Sequence, residues 1–155
     1  MAFQISGLPR AEFESLFALS DAELAERHIV RRTVDAYPGF PCRVSLEDAE
    51  PGEQVLLLSY EHLAVASPYR SRHAIYVREN AVDAHPFRNE VPDVLRRRLL
   101  SLRAFDDKGM LRAADVVEGK QVEPVIERLF SDPNVAYIHA HNAKPGCFAA
   151  RIDRA

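Results

Sequence analysis

The sequence has no tryptophan, only two cysteines and no long apolar run, and the last two features exclude whole classes of protein. Cys42 and Cys147 are too few for a disulfide framework, and they lack the Cys-x-x-Cys spacing of redox motifs and zinc ribbons. We expect two free thiols, although a bridge between them would satisfy the same count. No stretch approaches the roughly 18 apolar residues of a membrane span, and no basic leader opens the chain. We therefore expect a cytoplasmic protein that binds no membrane.

An excess of positive charge is also missing. The net charge is -3 and the basic residues are spread along the chain, so we expect no nucleic-acid partner. The one dense group is Arg96, Arg97 and Arg98, for which solvated charge is the favoured interpretation and phosphate recognition the alternative. No dinucleotide, Walker, His-Glu-x-x-His or Gly-x-Ser-x-Gly motif occurs, which lowers the odds of the commonest nucleotide-binding, protease and hydrolase families.

The composition is that of a globular protein, with 47% hydrophobic and 28% charged residues. Its length and the absence of repeats or linkers predict a single domain over 1–155. Apolar residues at helical spacing predict a helix over 10–19 and another over 119–130. Ser20 and Glu23 have the spacing of a capping box, which predicts the start of a second N-terminal helix.

Alternating and continuous apolar patterns predict most of the remaining chain to be strands. The predicted strands cover 28–35, 42–46, 55–58 and 72–79, a hairpin of 99–105 with 110–117, and a last hairpin over 135–152. Turns and loops join most of them, which favours antiparallel pairing. We predict an α+β fold, mainly antiparallel sheet, with N-terminal helices and one helix before the C-terminal hairpin.

The last hairpin carries the strongest candidate site. Side chains alternate along a strand, so Tyr137, His139 and His141 share one face. A five-residue turn over 142–146 sets the register of the return strand. The predicted facing pairs are His141 with Cys147, His139 with Ala149 and Tyr137 with Arg151. The opposite face is apolar, so we expect it to point toward the core. It carries Ile138, Ala140, Phe148 and Ala150.

One interpretation of this face is a mononuclear metal site. Imidazole and thiolate suit zinc and related transition metals, so His139, His141 and Cys147 are the candidate metal ligands. A third or fourth ligand could come from His73, His62 or a carboxylate.

Two other interpretations stay open. Cys147 is a candidate catalytic nucleophile if a histidine activates its thiol, with Asn142 as a hydrogen-bond donor. Alternatively, the residues are ordinary polar positions on an outward or loop-covered face of the sheet.

Donor-rich side chains elsewhere indicate a small polar or anionic ligand. The ligand-binding candidates are Arg43, Tyr69, Arg70, His73, Asn142 and Arg151. The alternatives are a merely hydrophilic loop around Tyr69 and Arg70, and a structural ion pair of Arg43 with a nearby acid.

Three segments resemble a known family. They are 38–46 (PGFPCRVSL), 99–106 (LLSLRAFD) and 137–149 (YIHAHNAKPGCFA). The chain resembles the bacterial domain-of-unknown-function family 1203 nearly from end to end. The resemblance implies a bacterial, cytoplasmic protein and carries no activity, substrate or cofactor.

The sequence therefore predicts a His- and Cys-lined pocket for a small polar or anionic ligand or a metal ion, with or without catalysis. The alternative is a non-catalytic structural or protein-interaction domain, such as a homodimer.

Overall fold

The computed structural model describes residues 2–155, which form nine short strands and four short α-helices. The strands are β1 (Phe3–Ser6), β2 (Val30–Thr33), β3 (Gln54–Leu63), β4 (Ser71–Arg78), β5 (Phe87–Arg88), β6 (Leu99–Phe105), β7 (Leu111–Glu118), β8 (Tyr137–Asn142) and β9 (Phe148–Arg154). The helices are α1 (Glu14–Phe17), α2 (Asp21–Glu26), α3 (Asp93–Arg96) and α4 (Val122–Phe130). None of these helices is long and apolar enough to cross a membrane.

The strands form two antiparallel sheets. The larger sheet has the order β5-β1-β9-β8-β6-β7, and the smaller has the order β2-β3-β4. The α+β class with mainly antiparallel sheet is confirmed. Strand β8 lies between β9 and β6, and all six of its residues are buried, so both of its faces are covered. Any polar side chain on β8 is therefore withdrawn from water.

Helix α4 covers one face of the larger sheet. Val122, Ile126 and Leu129 recur at helical spacing and are buried, and they belong to one core cluster with Leu102 and Ile138 of the sheet. Removing such a side chain from water stabilises the fold by roughly 1.5 to 3 kcal/mol. The helix predicted over 119–130 is thus present, its first turn being a 3-10 turn over Gly119–Gln121.

The smaller sheet packs against the N-terminal helices. Phe13 and Leu24 form a second core cluster with Leu56 of β3 and Ile75 of β4. The predicted capping box begins α2: the backbone N–H of Glu23 donates to the Ser20 hydroxyl at 3.1 Å, and the Ser20 N–H donates to the Glu23 carboxylate at 3.2 Å. The predicted helix over 10–19 is shorter, with a 3-10 turn over Arg10–Glu12 followed by α1.

Two predictions of strands were wrong or incomplete. Residues 42–46 form no strand, because Cys42 makes only an isolated bridge to Tyr76 and Leu46 has a left-handed φ of 54° that ends the extended path. Strand β1 was not predicted, since four residues are too few to establish a period. It is stabilised by pairing with both β9 and β5.

Gly119 is required where α3 meets the start of the helix that covers the larger sheet. A Cβ at this position would lie 1.9 Å from the Leu95 carbonyl oxygen and 2.8 Å from that of Arg96. Because both atoms belong to the backbone, Gly119→Ala should lower the free energy of unfolding by about 3 kcal/mol or more. Gly39→Ala is the control, since its Cβ would meet nothing nearer than 3.9 Å. Urea denaturation of both variants measures the difference, and equal stabilities would contradict this packing.

Candidate functional site

Four histidines from the two sheets converge on one another. His139 and His141 lie on the same face of β8, as alternation predicts, and His62 and His73 come from β3 and β4. The pairing of β3 with β4 shifts register just after Tyr60, at the segment that carries His62. These four residues are called the histidine cluster below.

His62 lies at the centre of the histidine cluster. Its Nδ1 is 3.1 Å from Nδ1 of His139, and its Nε2 is 2.7 Å from Nδ1 of His73. The Phe148 ring stacks on the His62 ring with centroids 4.9 Å apart and planes 11° apart. The His141 ring meets the rings of His62 and His73 edge-on, each at 5.0 Å. The imidazoles are therefore held by one another and by an aromatic side chain.

His141 has one satisfied and one unsatisfied ring nitrogen. Its Nδ1 lies 3.0 Å from the Gly146 carbonyl oxygen, so Nδ1–H donates to that oxygen. The lone pair of the neutral ring is then on Nε2, which is buried and has no hydrogen-bond partner in residues 2–155. An unsatisfied buried polar atom costs about 1 to 3 kcal/mol, so a partner other than these residues would stabilise this nitrogen.

Burial keeps the histidine cluster neutral. It lowers the pKa of His62 to about 4, that of His139 to about 2 and that of His141 to about 3, and it also lowers the pKa of His73. The positive charge of Arg103, which pairs with His139 across β6 and β8, acts in the same direction on all four. At neutral pH each imidazole offers a lone pair, which is the state that binds metal ions.

Three members of the histidine cluster can share one ion. One ring nitrogen from each of His62, His73 and His141 lies within 4.8 Å of the others. Within residues 2–155, no carboxylate or thiol joins this group. His62 contacts His139 through its Nδ1 atom and His73 through its Nε2 atom, so His139 lies on the other side of the His62 ring from His73.

The predicted register of the last hairpin was wrong by one residue at His141 and by two residues at His139 and Tyr137. The turn has four residues instead of five, because Gly146 takes a positive φ of 80° and its N–H donates to the Asn142 carbonyl at 2.8 Å. Asn142 N–H donates to the Cys147 carbonyl, so these two residues close the hairpin. The observed pairs are His141 with Phe148, Ala140 with Ala150, His139 with Arg151 and Tyr137 with Asp153, with a bulge near Ala149.

This register separates Cys147 from the imidazoles. Its Sγ lies 2.9 Å from Nη2 of Arg43 and 3.7 Å from Nδ2 of Asn142, and it does not join the metal-binding group. Phe148, predicted on the core side, contacts the histidine cluster instead. Both cysteines are free thiols. That Cys147 is a catalytic nucleophile stays a prediction.

A cleft of about 610 Å³ adjoins the histidine cluster and shares His73 with it. Arg43, Asn142 and Cys147 also line this cleft. The alternative of an Arg43 ion pair was wrong: its guanidinium donates to the carbonyls of Pro41 and Phe148 and to the Cys147 sulfur.

The other predicted ligand-binding residues lie outside this cleft. Arg70 pairs with Glu61 at 3.0 Å, and Tyr69 is exposed. Arg151 pairs with Asp153 and lies over the Tyr137 ring, 4.2 Å from its centroid. In the observed register Arg151 faces His139 rather than Tyr137.

The three consecutive arginines are not merely solvated. Arg96 pairs with Glu123, while Arg97 and Arg98 both bind the buried carboxylate of Asp48 at 3.1 and 2.6 Å. Arg97 and Arg98 also line the cleft. Sequence reasoning missed this role, because Asp48 lies about fifty positions away in a segment that reads as a polar loop.

A family model described as "Protein of unknown function (DUF1203)" matches residues 39–154. The chain belongs to this family. The DUF1203 segment contains the whole histidine cluster together with Arg43 and Cys147, whereas β1, α1 and α2 precede it. No curated protein and no solved structure matches the chain.

The buried histidines predict a steep loss of stability in mild acid. An unfolded histidine has a pKa near 6.5, whereas the folded values for His139 and His141 are lower, so the unfolded chain binds more protons between those limits. The contribution of the neutral histidines to the free energy of unfolding is complete above about pH 6.5. It falls as the pH drops toward the folded pKa. Between about pH 7.5 and 5.5 each of His62, His139 and His141 contributes a loss of about 1.4 kcal/mol, so the chelator-treated protein should lose roughly 4 kcal/mol.

Urea denaturation across this pH range measures the effect. His139→Phe suits an aromatic surrounding that includes Phe105 and Phe148, and it should remove about a third of the slope. His85→Gln, at an exposed position outside the histidine cluster, should leave it unchanged. A wild-type slope no steeper than that of His139→Phe would contradict neutral burial of the imidazoles.

Proposed function

We propose that the protein binds one transition metal ion of the zinc class through His62, His73 and His141, leaving one coordination position open. The observation that carries this proposal is the Nε2 atom of His141, which is buried without a hydrogen-bond partner beside two other imidazole nitrogens. A metal ion would accept its lone pair and remove the cost of leaving it unsatisfied.

The hydrogen-bond pattern assigns a ligand nitrogen to each residue. Donation from Nδ1–H of His141 to Gly146 leaves Nε2 for the metal. If His62 is protonated on Nδ1, it donates to Nδ1 of His139, and Nε2 of His62 is left for the metal. His73 then contributes Nδ1, the atom that lies 2.7 Å from His62 Nε2. Two lone pairs at that distance repel unless a proton or a cation lies between them.

His139 fits the role of a positioning residue. Histidine ligands of metals characteristically donate their second ring nitrogen to a partner that fixes their tautomer and orientation. His139 is buried, and its Nδ1 lies 3.1 Å from Nδ1 of His62, where it would accept that hydrogen bond in the metal-bound tautomer of His62. The sequence predicted His139 as a direct metal ligand. We propose instead that His139 contacts the ligand His62 and does not bind the ion itself.

The geometry requires a rearrangement of the histidine cluster, because the three ligand nitrogens lie up to 4.8 Å apart and the widest separation would have to shorten. Metal–nitrogen bonds of about 2.0 to 2.1 Å in a tetrahedral site put ligand nitrogens about 3.3 Å apart. His62 Nε2 and His73 Nδ1 would therefore separate by about 0.6 Å from their present 2.7 Å. His73 is half-buried, and its strand borders the cleft, so a rotation of its ring can supply this movement.

An all-imidazole set with three ligands is typical of an open site. Structural zinc sites are closed by four protein ligands, whereas three ligands leave a position for water or an exchangeable group. A bound ion would act there as a Lewis acid on whatever occupies that position. Because His73 lines the cleft, molecules in the cleft are the nearest candidates.

Metal titration of untagged, chelator-treated protein tests the proposal. Zn²⁺ should bind at about one equivalent and, at about 100 times its Kd, raise the free energy of unfolding by about 2.7 kcal/mol. His73→Ala and His141→Leu should each weaken binding by about 100-fold or more, since each removes a ligand. His139→Phe should weaken it by about 10 to 100-fold, the range for contacts that orient ligands.

His85→Ala serves as the matched control and should bind like the wild type, because His85 is exposed and does not belong to the metal-binding group. Uptake below about a tenth of an equivalent of Zn²⁺, Cu²⁺ or Ni²⁺ would contradict metal binding.

A further inference from the structure

The cleft beside the histidine cluster has the size and composition of a small-molecule site. Its volume of about 610 Å³ falls in the range of ligand pockets, roughly 300 to 1,000 Å³. Leu57 and Tyr76 of the smaller sheet supply an apolar part of its wall, and Arg43, Asn142 and Cys147 supply polar groups. Such a combination buries a hydrocarbon part and orients a polar end.

The charge of the cleft favours an anion. Four cationic side chains line it, namely Arg43, Arg97, Arg98 and Lys144. Glu118 is the one acidic residue that lines it within residues 2–155, and the buried Asp48 balances one of the two arginines that bind it. The positive charge that remains attracts negatively charged ligands into a partly desolvated space.

Arg43 is a buried cation without a carboxylate partner. Its side chain is only 2% exposed, and its three hydrogen bonds go to two backbone carbonyls and the Cys147 sulfur. A guanidinium has five N–H donors, so two of them have no acceptor in residues 2–155. Burial of an uncompensated charge is costly, and a planar carboxylate satisfies both its charge and its fork of donors.

Asn142 provides a second, independent indication. Its Oδ1 is buried and has no hydrogen-bond partner among residues 2–155, while its Nδ2 lies 3.7 Å from the Cys147 sulfur. Because Oδ1 is an acceptor, it calls for a donor that a carboxylate group lacks. A hydroxyl group next to the carboxylate would supply it.

We propose that this cleft binds a small hydroxylated carboxylic acid, with the carboxylate against the Arg43 guanidinium and a hydroxyl donating to Asn142 Oδ1. Arg97, Arg98 and Lys144 attract the anion at the rim. Occupancy of the cleft does not require the metal ion, although His73 borders both sites. The two proposals can therefore fail separately.

Calorimetric titration of chelator-treated, full-length protein with malate, succinate and inorganic phosphate tests this site. Malate should bind saturably with a Kd below about 1 mM. Succinate, which has the same carboxylates without the hydroxyl, should bind at least about 5-fold more weakly because Asn142 Oδ1 stays unsatisfied. Phosphate should bind more weakly than malate.

Variants locate the binding. Asn142→Asp places a negative charge beside the ligand and should weaken malate binding by about 10-fold or more. Arg97→Gln should weaken it by about 3-fold or more, and the variant should fold because Arg98 keeps both of its contacts with Asp48. Arg112→Gln, which removes an exposed ion pair on β7 outside the cleft, should leave malate binding unchanged.

Three results would overturn the proposal. The first is the absence of saturable binding by malate up to about 10 mM. The second is binding of phosphate with neither organic acid. The third is full malate affinity in both Asn142→Asp and Arg97→Gln, which would put the anion elsewhere on the protein. Because the titration is done without metal, a failure of Zn²⁺ binding would not affect its outcome.

Discussion

The packing of four imidazoles between two sheets, two of them buried and two half-buried, is the constraint on which the rest of the site depends. Within residues 2–155 none of these rings pairs with a carboxylate, so their ring nitrogens contact one another or the Gly146 carbonyl. Nε2 of His141 is buried and has no hydrogen-bond partner in this part of the chain. Burial at this level also holds the rings neutral.

The two proposed sites are built from shared parts. The Arg43 guanidinium donates a hydrogen bond to the Phe148 carbonyl. The Phe148 ring stacks on His62 at the centre of the histidine cluster. His73 borders both the cluster and the cleft. A ligand in the cleft would therefore lie beside His73, one of the three proposed metal ligands.

Local patterns were sufficient to predict much of the fold. The capping box at Ser20, the apolar stripe of α4 and the hairpin of β6 and β7 each depend on residues close in sequence, and all three are present. Alternation along β8 also placed His139 and His141 on one face. These features follow from backbone geometry that neighbouring residues specify by themselves.

The parts that failed depend on distant or single-residue geometry. The positive φ of Gly146 shortened the last turn, and the bulge near Ala149 then shifted the pairs, so that Phe148 faces the imidazoles in place of Cys147. The convergence of His62 with His139 joins residues 77 positions apart. Arg43 donates to two backbone carbonyls and to a sulfur. The positions of charged residues in the sequence could not indicate these uncharged acceptors.

X-ray absorption spectroscopy at the zinc edge of the zinc-loaded protein tests the central claim most directly. The histidine cluster predicts nitrogen and oxygen neighbours at about 2.0 to 2.1 Å, with the outer-shell scattering of about three imidazole rings and no sulfur. A sulfur neighbour at about 2.3 Å would contradict the account, because it would require Cys147 to leave Arg43 and join the metal.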